Sequence, residues 1–240
     1  MSRNTFLVLG VSLLLGFGLP LSVGAGGNEH PGFALTTLDG SGNVGQYTSV
    51  TIGADGLGLI SYYDATNGDL KVAHCSDVAC ISATLTVVDS IGNVGQYSSV
   101  TIGTDGLGLI SYYDATNGDL KVAHCSDVTC NFATFTTLSF LQSEGNVGQY
   151  SSVTITGGQA LISYYDSTDQ VLRLDLCLDL ACTSPTLTNT PDRAGNVGQY
   201  SSVTIGTDGR GLISYYDTFN GDLKTAHCSD LFCVPYHRRR

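Results

Sequence analysis

Basic side chains are scarce in this chain: 10 Lys and Arg stand against 21 Asp and Glu. An acidic surface repels phosphate backbones and anionic lipid headgroups, which disfavours nucleic acid and membrane-surface partners. The one basic cluster, Arg238-Arg239-Arg240, closes the chain as a tail. No stretch sustains a 3.6-residue apolar period, and Gly, Thr, Val and Tyr are dense, which excludes a helical repeat. A Gly-x-Ser-x-Gly elbow, a His-Glu-x-x-His pair and a phosphate-binding loop are all missing. The hydrolase, zinc-peptidase and nucleotide chemistries that rest on those motifs have no anchor here.

Residues 1–25 read as an export signal. Arg3 supplies the positive end, Phe6 to Leu21 is apolar, and Val23-Gly24-Ala25 puts small residues at the cleavage point. A membrane anchor is the poorer reading, because Gly16, Gly18 and Pro20 break a short run that no basic cluster follows. Cleavage would remove Arg3 and leave nine basic residues against 21 acidic, a net charge of 9 − 21 = −12. The remainder, 26–240, is expected to form one secreted domain, extracellular, periplasmic or at the cell surface, with no membrane insertion once the signal is cut.

What fills that domain is a repeat. The stretch Gly92 to Cys130 returns from Gly42, Gly145 and Gly195, at offsets of 50, 53 and 50, and the first two copies differ at three of 39 positions. Each copy ends in a cysteine pair of identical spacing: Cys75/Cys80, Cys125/Cys130, Cys177/Cys182 and Cys228/Cys233. Each pair could be half a zinc site. In an oxidising compartment, with no two further ligands at zinc-like spacing, local disulfides fit better. Closing so short a loop is worth about 2 kcal/mol through the unfolded chain.

Four short β segments divide each copy. In the second, Ser99 to Ile102 alternates, Leu107 to Tyr113 is nearly all apolar, Leu120 to His124 follows an Asn-Gly hairpin, and Ala133 to Thr137 comes after the cysteine loop. Four antiparallel strands in about 50 residues, repeated, predict a β-propeller blade. The repeat layout also resembles that of uncharacterised secreted bacterial repeat proteins and, more distantly, of sialidase-like propellers; the resemblance covers nearly all of the mature chain and implies a propeller without naming an activity.

Phe33 to Asp39 matches the fourth-strand position, while the last copy lacks a normal fourth strand after Cys233. Since an unclosed ring exposes strand edges, the expectation is an all-β, four-bladed propeller closed by residues 33–39 pairing with Leu223 to His227. The alternative is a stub strand at Val234 to His237 in an open fragment or part of a larger ring.

Antiparallel order puts the GNVGQY and DATNGD segments on one face. That face gathers Asn43, Gln46, Tyr47 and Asp64; Asn93, Gln96, Tyr97 and Asp114; Asn146, Gln149, Tyr150 and Asp166; and Asn196, Gln199, Tyr200 and Asp217. Amides and carboxylates beside an aromatic ring suit a sugar. The same groups equally suit turn-tying and wedging between blades. Asp114 to Asp119 offers oxygen ligands for calcium, but the spacing is not that of a calcium loop, and Asp166 to Val171 loses both the Gly and the last Asp.

His74, His124 and His227 share a position with Leu176 and read as packing residues. Lys71, Lys121, Lys224 and Arg173 read as solvated. The sialidase resemblance would imply an arginine cluster, a tyrosine nucleophile and a Ser-x-Asp-x-Gly-x-Thr-Trp box. Before the tail the mature chain has only Arg173, Arg193 and Arg210, and it has no Trp. Carboxylate pairs for glycoside hydrolysis could still meet across blades. The expected function is a non-catalytic binding or scaffold module for an extracellular glycan or protein. A degenerate glycosidase and a purely structural repeat are the alternatives.

Overall fold

The computed structural model describes residue 32, residues 34–138, 145–183 and 186–230, and residue 233. Residues 1–25, expected as an export signal, and Phe33, Val234 to His237 and the arginine tail lie outside the described residues. The chain divides into residues 1–35, where Gly32, Ala34 and Leu35 are described and none is in a strand, and residues 36–240, which hold every strand.

Four antiparallel sheets follow one another in chain order. The first is β1 (Val44–Ile52), β2 (Gly58–Asp64), β3 (Asp69–Cys75) and β4 (Ala83–Asp89); the second is β5 (Val94–Ile102), β6 (Gly108–Asp114), β7 (Asp119–Cys125) and β8 (Ala133–Thr137). The third is β9 (Val147–Thr156), β10 (Gln159–Asp166), β11 (Val171–Cys177) and β12 (Thr186–Asp192). Among the described residues three strands make the fourth: β13 (Val197–Ile205), β14 (Gly211–Asp217) and β15 (Asp222–His227).

The first strand of each sheet is longer than its alternating core suggests. Val-Gly-Gln-Tyr, expected as connection, is drawn into the strand by register shifts that absorb extra residues, between Val94 and Gln96 and again between Gln96 and Ser99. Gly95 (φ +103°) and Tyr97 (φ +54°) supply the left-handed backbone those bulges need. Tyr47, Tyr150 and Tyr200 repeat the conformation at 54°, 54° and 53°. Such a φ is uncommon for a bulky residue, so the surrounding packing must hold it.

Successive sheets pack by one repeated interface. Leu59, Leu70 and Val72 meet Val94, Val100, Ile110 and Tyr112; the same positions recur as Leu109, Leu120 and Val122 against Val147, Val153 and Ile162, and as Leu161, Leu172 and Leu174 against Val197, Val203 and Ile213. Burying a leucine in this way is worth about 2 kcal/mol. Serines stitch the joints: the hydroxyls of Ser61 and Ser98, Ser111 and Ser151, and Ser163 and Ser201 each lie 2.9 Å apart.

The ring closure expected from the sequence is not seen among the described residues. Residues 34–39 carry no strand, and β15 has a ladder with β14 alone among the described residues. Asp39 is fastened to the first sheet, accepting the Tyr62 hydroxyl at 2.8 Å and the Lys71 ammonium at 2.5 Å. The outward face of the first sheet and that of the last stay uncovered: Val50 is 66% exposed where Val100 is 6%, and Leu223 is 81% exposed where Leu70 and Leu120 are 0%.

The four cysteine pairs are disulfides, with Cα atoms 4.7–4.9 Å apart. The second cysteine of each, at Cys80, Cys130, Cys182 and Cys233, sits at positive φ, as a tight reversal requires.

Candidate functional site

The sixteen candidate residues separate by what they bond. Asp64 is buried, and its Oδ1 accepts from the backbone N–H of Thr66 (3.0 Å) and Asn67 (3.2 Å), its Oδ2 from Asn67 Nδ2 (2.9 Å). Asp114 and Asp217 repeat this turn with Thr116 and Asn117, and with Phe219 and Asn220. Asp166 caps Thr168 and Asp169, and Arg173 Nε takes the place of the asparagine amide at 3.0 Å. The oxygen-rich hairpins that suggested calcium thus spend their carboxylates on their own backbone. Among the described residues no group of three or more His, Cys, Asp or Glu side chains could hold an ion.

Asparagines bridge sheets. Asn93 Oδ1 accepts the hydroxyl of Tyr63 from the preceding sheet at 2.7 Å, and Asn146 and Asn196 accept Tyr113 and Tyr165 at the same distance. Gln46, Gln96 and Gln149 each donate an amide N–H to the asparagine three residues earlier, at 3.2, 3.4 and 3.1 Å. Asn43 is anchored through its backbone N–H, which donates to Thr66 Oγ1 at 2.8 Å.

The tyrosines come together. Ring centroids of Tyr47 and Tyr97, Tyr97 and Tyr150, and Tyr150 and Tyr200 are 4.5, 4.5 and 4.4 Å apart, with successive rings tilted by 48–51°. With the hydroxyl residue that follows each, Thr48, Ser98, Ser151 and Ser201, they line one open cavity of about 220 Å³. Burial, then the neighbouring Tyr150 and Tyr47, pushes the Tyr97 hydroxyl above its ordinary range, so it stays a neutral donor. Burial, then Tyr200, does the same to Tyr150. An array of tyrosine rings and hydroxyls can stack an apolar face and exchange hydrogen bonds with alcohols at once.

Two groups of side chains have roles that differ from those expected. The lysines are not solvated: Lys71 is buried, and Lys121 is bound to Asp89 at 2.5 Å and Lys224 to Asp192. Each partner is an aspartate 32 residues upstream. In the third repeat Ser139 stands where that aspartate would be, and Arg173 stands for the lysine. The paired replacement of both partners in one repeat is the signal for this contact.

The histidines, expected as packing residues, are paired too. His74, His124 and His227 place Nε2 2.8, 2.8 and 3.0 Å from Asp55, Asp105 and Asp208 in the turns between the first two strands. The third repeat loses both partners, to Leu176 and a Gly157-Gly158 turn. These pairs link the turns on the side of the sheets where the disulfides lie, away from the tyrosines. Arg173 is buried and engaged by Asp166 and Asp169, and Arg210 lies by Asp208, so these two form no common cluster.

No family model matches the chain, and no curated protein matches it in sequence. Solved structures do. An exo-β-1,3-galactanase of Phanerochaete chrysosporium superposes over 79% of this chain and 48% of its own, at 13% identity and a TM-score of 0.56. A leech intramolecular trans-sialidase does so over 77% and 30%, at 17% and 0.55. A GH43 β-1,3-galactosidase does so over 76% and 42%, at 11% and 0.52. The shared fold is the β-propeller. At these identities the likeness is one of propeller architecture, and the chain spans less than half the length of each of these three proteins. No helix among the described residues is long and apolar enough to cross a membrane.

Proposed function

We propose that the chain is a secreted, non-catalytic propeller module that binds an extracellular glycan, or a protein, at the mouth framed by Tyr47, Tyr97, Tyr150 and Tyr200. The observation that carries this reading is the tyrosine array itself, four rings in contact around one open cavity. Of the sixteen candidate residues the aspartates serve turns, and Asn93, Asn146 and Asn196 serve joints. The tyrosine hydroxyls and the glutamines beside them are the groups placed to meet a ligand. A glycan array tests it: wild type should retain at least one carbohydrate class, and Tyr97→Ala with Tyr150→Ala should lose it. An array blank for wild type would remove the glycan reading.

The second reading is a degenerate glycosidase. What favours it is the likeness to a galactanase and a trans-sialidase. Turnover of aryl glycosides would support it, and none by the pure protein would count against it.

For the architecture we propose four blades, the last of which takes residues 33–39 as its outer strand. Three features support this: the fourth sheet has three strands among the described residues where the others have four, Thr36-Thr37-Leu38 repeats Thr136-Thr137-Leu138, and Asp39 sits on the first sheet as Asp89 sits on the second. Deleting residues 26–40 should abolish a stable monomer. An unchanged melting temperature and mass would refute the closure.

A further inference from the structure

At one buried point the third repeat departs from its sisters. Asp175 stands on β11 where the sister strands carry Ala73, Ala123 and Ala226, and it is fully buried. Leu172, Leu174 and Leu176 pack towards the fourth sheet, whereas Cys177 packs with Leu120 and Val122 of the second. Side chains alternate along a strand, so Asp175 faces the joint between the second and third sheets. One carboxylate oxygen accepts the Tyr164 hydroxyl at 3.2 Å, and the other, Oδ1, has no hydrogen-bond partner.

The titratable and charged groups around Asp175 are few. Tyr164 approaches from β10, and Arg173, two residues along β11, is held by Asp166 and Asp169. From β12, Thr188 stands opposite in the ladder. The second sheet brings apolar side chains to the cluster that holds Tyr164, namely Leu109, Leu120 and Val122. A neutral acid tolerates one unpartnered buried oxygen, whereas a carboxylate there keeps a buried charge with part of its hydrogen-bonding capacity unmet.

We propose that Asp175 is a proton-operated latch in the joint between the second and third sheets: protonated it packs in the place of the sister alanines, and ionised it loosens the joint. Burial pushes its carboxyl up to about 6, against the opposing pull of Thr188, Tyr164 and Arg173. The folded value lies above the ordinary 3.8. Its stabilising contribution is therefore complete below about pH 4 and disappears as pH rises through about 6. The latch is independent of any ligand at the tyrosine mouth.

Thermal melting of wild type, Asp175→Ala and Asp175→Asn from pH 4 to 8 tests it. Alanine is what three sister strands carry, and asparagine keeps the shape without titrating. We expect Asp175→Ala to melt about 5 °C above wild type at pH 8, with the gap closing by pH 4. For Asp175→Asn the difference from wild type should change with pH in the same sense. Amide exchange in β10 and β11, corrected for its intrinsic rate, should accelerate between pH 5 and 7 in wild type and not in Asp175→Ala. Melting differences that stay constant across the pH range would overturn the latch; if the alanine variant does not fold, the asparagine variant decides.

Discussion

The carboxylate of Asp89, at the end of the first sheet's outer strand, accepts the Lys121 ammonium at 2.5 Å and the Tyr112 hydroxyl at 2.7 Å, both from the second sheet. Asp192 does the same to Lys224 and Tyr215 of the fourth. Outer strands are thereby tied to the next sheet's middle strands, and the charged pair of the first joint, Asp89 and Lys121, sits largely out of water.

Removing one partner of such a bridge leaves the other charge buried. Asp89→Ala should lose about 3 kcal/mol of stability in urea unfolding, and adding Lys121→Met should recover part of it. A loss below 0.5 kcal/mol, on the order of a surface pair, would show that the bridge contributes little.

Acid sensitivity should have an identifiable component at Asp39. The hydrogen bond from Lys71 holds its carboxyl down at about 2, helped by the Ser41 N–H and Tyr62 and opposed by burial. A depressed value stabilises the fold above the ordinary 3.8 and ceases to do so as pH falls through about 2. Between pH 4 and 2 wild type should therefore lose more stability than Asp39→Asn; equal losses would show that the contact is unimportant.

Gly95 and Gly45 separate strain from collision. Both have positive φ, +103° and +89°, but a Cβ on Gly95 would lie 2.7 Å from Leu70 Cα, while nothing lies within 4 Å of one on Gly45. Gly45→Ala should cost about 1 kcal/mol and Gly95→Ala about 3 kcal/mol or more. Comparable melting temperatures for the two would mean that the joint yields.

His124→Leu copies what the third repeat already does at Leu176. The His124–Asp105 pair is part-exposed, so the substitution should change stability by less than about 1 kcal/mol. A drop in melting temperature corresponding to more than 2 kcal/mol, far beyond an exposed pair, would make the pair a structural requirement of the turn.

Much of the fold was legible in the sequence because it is written in short-range chemistry. The Asn-Gly hairpins, the alternating strands and the cysteine pairs five residues apart all fall where expected, and Ala133–Thr137 matches residue for residue. The first strand extends beyond its alternating core, from Val94 instead of Ser99. A tyrosine at φ +54° inside a ladder has no local signature, and only packing against the neighbouring ring at 4.5 Å holds it there. The pairing of the lysines and histidines has no local signature for a related reason. A charged side chain looks solvated until its aspartate, 32 or 19 residues away, is brought beside it by another sheet or turn.

The sequence by itself determined the unit: where each repeat recurs, how its strands turn back and which cysteines join, since these depend on groups within a few residues of one another. Tertiary structure decided which side chains of one unit meet the next. That turned Asn93 into an acceptor for Tyr63 and gathered four tyrosines at one mouth. It also left Leu223 exposed while its sister Leu70 is fully buried. Identical residues differ there because hydrophobic burial is a property of the neighbour that covers a side chain, and no local rule specifies whether that neighbour is present.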